Sequence, residues 1–172
     1  MKYSFALADV GKLVLESRAG ESDRHISLKL LAYLLFHDQT GGLPLRIEQG
    51  VGQRHKPDLV ATEPYTDVVR WWIDCGDIGV KRLARIVEKN RHAQIVIVKK
   101  TGNEAAAYAK EATRFVPQNA AIRYIGFDES FVPAVLNEMR GTNTVVHLPA
   151  PPDTLALHFN SREIHSKLFW TE

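Results

Sequence analysis

The sequence predicts an α/β (α+β) protein: a mixed β-sheet flanked by helices, with extra strands near both ends of the chain. Three observations carry this. The run Ile26 to Phe36 (ISLKLLAYLLF) is apolar on most sides, as in a helix packed on more than one face. Leu59 to Thr62 and Val68 to Cys75 flank the turn-like stretch Glu63-Pro64-Tyr65-Thr66-Asp67, and read as an antiparallel hairpin. Gly79 to Asn90 places Val80, Leu83, Ala84, Ile86 and Val87 close to helical spacing, and the β-branched run Ala93 to Val98 (AQIVIV) follows it as a buried strand after a helical crossover.

In chain order, Lys2 to Ala8 and Lys12 to Ser17 form a hairpin about Asp9-Val10-Gly11. Arg18 to Asp23 supplies a capping Ser or Asp and acids for the first turn of the apolar helix. After Gly41-Gly42, Leu43 to Glu48 is a strand and Gly50 to Lys56 a polar, basic loop before the central hairpin. Beyond Val98, Glu104 to Phe115 is an Ala-rich helix and Ala121 to Phe127 a strand. Asp128-Glu129-Ser130 opens another helix that tolerates Pro133 in its first turn. Thr144 to Leu148, Thr154 to Asn160 and Ile164 to Trp170 are further strands. From Glu21 to Val98 the order is therefore helix, strand, strand, strand, helix, strand, and the hairpins make the early strands antiparallel.

A chain of 172 residues without repeat, low-complexity stretch or linker is read as one domain, 1–172. Its net charge of +2 allows a local basic patch but does not demand a nucleic-acid partner. The one cysteine, Cys75, excludes an intrachain disulfide and a multi-cysteine zinc site and suits a reducing cytoplasm. There is no convincing signal peptide and no run of the roughly 18 apolar residues that a membrane span needs. No HExxH, GxxxxGK[ST] or strand-borne GxGxxG is present.

Two carboxylates mark the central hairpin, Asp58 before its first strand and Asp74 near the end of its second. If the strands pair about position 66, the two face each other, with Cβ atoms roughly 4.5–5.5 Å apart. Like charges so close need a cation or a proton between them. Such a pair can hold Mg²⁺ or Mn²⁺ for phosphodiester hydrolysis, or can simply be a solvated strand end, Asp74 pairing with Arg70 or Arg82. Glu21 is a candidate third acid, though a helix dipole explains it equally. Lys81, early in the following helix, can supply positive charge or be an ordinary surface lysine. Arg82 and Arg85 share a helix face and, with Arg54, can grip phosphates. Trp71 and Trp72 point to opposite faces of their strand, and Cys75 reads as a small core residue.

ESDRHISLKLLAYLL, then PD, then WWIDCG followed by KRLAR, resembles the YaeQ-like family of small bacterial proteins along most of the chain. That family is similar in fold to the PD-(D/E)xK nuclease superfamily, whose restriction-endonuclease-like core has the αβββαβ order read above. The resemblance implies that Pro57-Asp58 is the PD element, Asp74 the D/E position and Glu21 the acid of the first core helix. Gly76 stands where the superfamily lysine belongs, which makes Lys81 the candidate for a migrated lysine. The resemblance implies a nuclease-like protein in which Asp58, Asp74 and Glu21 hold Mg²⁺ or Mn²⁺. Lys81 would assist catalysis, and Arg82, Arg85 and Arg54 would meet DNA or RNA. The alternative is a non-catalytic member that binds nucleic acid or a protein.

Overall fold

The computed structural model describes residues 1–172. Four helices and eleven strands form two mixed sheets. The first hairpin, β1 (Lys2–Leu7) and β2 (Gly11–Glu16), leads into α1 (Asp23–Phe36). There follow β3 (Arg46–Ile47), β4 (Leu59–Thr62), β5 (Val69–Cys75), α2 (Val80–Lys89) and β6 (Gln94–Val98). The second half contains α3 (Gly102–Ala112), β7 (Ile122–Gly126), α4 (Phe131–Glu138), β8 (Thr142–Leu148), β9 (Thr154–Phe159), β10 (Arg162–Lys167) and β11 (Phe169–Thr171).

The central sheet has the order β11-β7-β6-β5-β4-β3. Its middle strands β5, β6 and β7 are parallel, and β3, β4 and β11 add antiparallel edges. The helix–strand–strand–strand–helix–strand order of the first half is thus α1-β3-β4-β5-α2-β6. Where a single mixed sheet was expected, the terminal strands build a second sheet, β10-β9-β8-β1-β2, held together by a parallel β1–β8 pairing. The strand expected over Ile164 to Trp170 divides at the buried Leu168. Its first part joins the second sheet, and its last part becomes an edge of the central one. The strand expected over Leu43 to Glu48 shrinks to two residues. Pro44 donates no hydrogen bond, and Glu48 turns the chain with a left-handed backbone (φ +52°).

Helices α1 and α4 lie between the two sheets in the larger apolar core, which joins Phe5, Leu157 and Phe159 of one sheet to Leu59, Ile73 and Val96 of the other. This explains why α1 is apolar nearly all round: ten of its fourteen residues are buried. Ser22 caps it, accepting from the His25 backbone N–H. A second core, with Trp72, Val60, Leu83, Ile97 and Tyr108, seals α2 and α3 onto the opposite face of the central sheet. Trp72 is fully buried there, while Trp71 packs on the other face. No helix is long and apolar enough to cross a membrane.

Candidate functional site

The β4–β5 register pairs Leu59 with Ile73, Val60 with Trp72 and Ala61 with Trp71. Continued by one residue, it sets Asp58 against Asp74, as the turn midpoint at position 66 predicts. A bulge at Ala61/Thr62 absorbs the irregularity at the far end, leaving the carboxylate end in register. The Asp58 backbone N–H donates to Asp74 Oδ1 at 3.3 Å. Gly76 then leaves β5 with φ +73°, a conformation that favours glycine, and its N–H donates to Val98 O at 2.8 Å.

The two acids have different surroundings. Asp74 is 3% exposed, and its Oδ2 accepts from the Trp72 indole at 3.0 Å. Burial and the neighbouring Asp58 push its pKa up to about 6, against the opposing pull of the Trp72 N–H, Arg82 and the Asp58 N–H. Asp58 reaches towards α1: its Oδ2 accepts from the Cys75 N–H at 2.8 Å and lies 3.0 Å from His25 Nε2. His25 Nδ1 is 3.0 Å from Glu21 Oε1. Glu21 itself sits just before the Ser22 cap rather than on the helix.

At the centre of this cluster is Lys29, whose ammonium donates to both Glu21 and Glu48 and lies 3.8 Å from Asp58 Oδ1. Lys29 is 1% exposed. Burial alone would lower its pKa, but the Glu21, Glu48 and Asp58 carboxylates outweigh it and hold the ammonium above its ordinary value. Reciprocally, burial would raise Glu21, and the Lys29 ammonium, the Arg18 N–H and His25 bring it below the usual carboxylate range. Glu48 also faces Arg18 and Lys56 at its outer edge.

Sequence reasoning singled out Glu21, Asp58 and Asp74, and the structure brings all three to this end of the sheet. It missed His25, Lys29 and Glu48. The signal for the first two was the four-residue spacing Glu21, His25, Lys29, which lines one side of a helix and the turn before it. Lys81 is exposed and makes no ion pair or side-chain hydrogen bond; the lysine among the carboxylates is Lys29. Asp74 pairs with neither expected arginine directly: Arg70 bonds Glu63, and Arg82 donates to Lys56 O at 3.2 Å.

Carboxylates suit Mg²⁺ or Mn²⁺, but here the space among Glu21, Glu48 and Asp58 is filled by the Lys29 ammonium, and both Asp74 oxygens are engaged by N–H donors. No three histidine, cysteine or carboxylate side chains converge to hold a metal. The residues as arranged do not fit the ion.

Beside this cluster lies a basic surface. The loop 50–56 is docked on α2 by the Arg82–Lys56 bond and by the Gln53 and Asn90 amides, which bond each other reciprocally at 2.8 and 3.1 Å. Arg82, Arg85 and Lys89 recur at i, i+3 and i+7 on α2. With Arg54 they surround His55, and after burial their charges are what lower its pKa. None of these four cations has a carboxylate within ion-pair distance.

The two mixed sheets and their helices are shared with solved structures. The chain superimposes on the YaeQ protein from Pseudomonas syringae with a TM-score of 0.76 at 14% identity, covering 99% of this chain and 94% of that one. The YaeQ protein from Xanthomonas axonopodis pv. citri matches with a TM-score of 0.71 at 18% identity, over 99% of this chain and 96% of that one. No curated protein matches the chain. The family model described as "YaeQ protein" matches residues 9–164, and the chain belongs to the YaeQ family.

Proposed function

We propose that this chain is a nucleic-acid-binding protein of the PD-(D/E)xK, restriction-endonuclease-like class. In this reading the carboxylate cluster is neutralised internally instead of by metal, and the basic surface of α2 and loop 50–56 meets the phosphate backbone. What supports the fold assignment is the αβββαβ order and the Asp58–Asp74 register, with Gly76 in place of the motif lysine. The observation that carries the function is the group Arg54, Arg82, Arg85 and Lys89: four cations on one surface, without acidic partners, in a protein whose overall charge is only +2. Unpaired cations at that density recognise a polyanion, and phosphate contacts of this kind are indifferent to sequence.

Binding of a labelled duplex, followed by fluorescence anisotropy at increasing salt, tests the reading. Four phosphate contacts give a log–log slope of roughly −3.6. A slope near zero, or no binding of either the duplex or a single strand of the same length at low salt, would remove nucleic acid as the partner. Metal-dependent phosphodiester hydrolysis is the second reading, favoured by the convergence of Asp58 and Asp74 beside the same surface. Cleavage that requires Mn²⁺ and disappears in Asp74→Asn would select it instead.

A further inference from the structure

Between α2 and the loop 113–121 that joins α3 to β7 is a cavity of ≈ 550 Å³. Its volume lies within the roughly 300–1,000 Å³ range of small-molecule sites. Ala84, Val87 and Ala93 form apolar walls, and Phe115 stands at its mouth, 43% exposed although it is a large aromatic. Asn119 at the rim is exposed and its amide is bonded to nothing, so a donor and an acceptor are both free. Arg85 lines this cavity and also belongs to the cationic row Arg82, Arg85, Lys89. The cavity is therefore continuous with the basic surface through one side chain.

We propose that this cavity takes an unpaired nucleobase, stacked on Phe115 and with its edge offered to Asn119, from a strand whose phosphates run along Arg82, Arg85 and Lys89. The proposal rests on the nucleic-acid reading above and narrows it to single-stranded substrate. An exposed aromatic beside a row of unpaired cations is the arrangement that binds single strands without sequence preference: the ring takes the base face and the cations take the backbone. An apolar peptide side chain would fill the same walls but would leave the two flanking cations, Arg85 and Arg91, with a single acid, Glu88, between them in the lining.

The test is anisotropy with three labelled ligands of equal length: an oligothymidine single strand, an abasic single strand and a duplex. Phe115→Ala removes an exposed side chain and so leaves the core intact. It is expected to weaken the oligothymidine by roughly tenfold and to leave the abasic strand and the duplex unchanged. Arg85→Gln is expected to weaken all three. Equal oligothymidine affinity in Phe115→Ala and the native protein, with Arg85→Gln still weakened, would overturn the base pocket while sparing the nucleic-acid reading. No binding of any ligand by the native protein at low salt would overturn both.

Discussion

The ammonium of Lys29 lies 3.8 Å from Asp58 Oδ1 while bonding Glu21 and Glu48, so one buried cation on α1 closes a cluster assembled from three separate segments of chain. A carboxylate group of this kind needs a compensating charge, and here the chain supplies it. This relationship decides both how the cluster contributes to stability and whether it has room for a metal.

Removing the cation leaves the acids buried and opposed. Lys29→Met keeps the packing of the stem but is expected to lose about 3–5 kcal/mol, the cost of breaking a buried pair from one side. Urea denaturation at pH 7 measures it. Part of the loss should return as pH falls, because without the Lys29 ammonium Glu21 takes up a proton more readily, and its protonation relieves the repulsion within the cluster. In the native protein the sign is opposite for Glu21. Its folded pKa is depressed, so its contribution is present above the unfolded pKa and is lost as pH falls through the folded value.

Asp74 carries its own pH signature. With its folded pKa raised from 3.8 to about 6, the native state binds more protons than the unfolded chain between those values, and stability falls as pH rises through that window. The shift corresponds to roughly 3 kcal/mol. Asp74→Asn has no proton to lose, so its stability relative to the native protein should rise by about that amount from pH 4 to pH 7. Paired urea titrations across the range read the difference. A constant difference would place the Asp74 pKa at its ordinary value.

The central hairpin was legible because its determinants are local: a turn at 63–67, a largely apolar second strand in Val68 to Cys75, and two acids equidistant from the midpoint. The helix α1 was legible for the same reason, through its apolar run and Ser22 cap. Lys29 was not, because inside ISLKLLAYLL it reads as a lone polar residue, and its partners Glu48 and Asp58 are 19 and 29 residues away. Nor was the second sheet: β1 pairs with β8 across most of the chain, and no periodicity encodes such a partner. The β10–β11 break was hidden because Ile164 to Trp170 reads as one strand. Only the packing of Leu168 and the pairing of Phe169–Thr171 with β7 separate the two.

Gly126, at the end of β7, sits against the start of α3. A Cβ built on it would lie 2.1 Å from the Thr101 carbonyl oxygen and 2.5 Å from the Gly102 nitrogen. Both are backbone atoms, and the Gly102 N–H is already committed to Phe127 O at 2.9 Å. The contact cannot be relieved by a side-chain rotation. Gly126→Ala is therefore expected to cost about 3 kcal/mol or more, at or beyond the upper end of ordinary overpacking. It should show as a lowered Tm, or as insoluble expression. A variant as stable as the native protein would mean that α3 shifts freely, contrary to its close packing on β7.

The metal question can be settled without any substrate. Calorimetric titration of Mn²⁺ into the native protein is expected to show no saturable binding, because the Lys29 ammonium occupies the space a cation would take among Glu21, Glu48 and Asp58. Lys29→Met vacates that space and leaves oxygen ligands of the type that hard divalent ions prefer, so it is expected to gain one Mn²⁺ per chain, and Mn²⁺ should restore some of the stability that the substitution removes. Saturable binding by the native protein that is lost in Asp58→Asn would reverse the order of the two readings. The ion would then displace the ammonium, and Asp58 with Asp74 would regain a claim to phosphodiester hydrolysis.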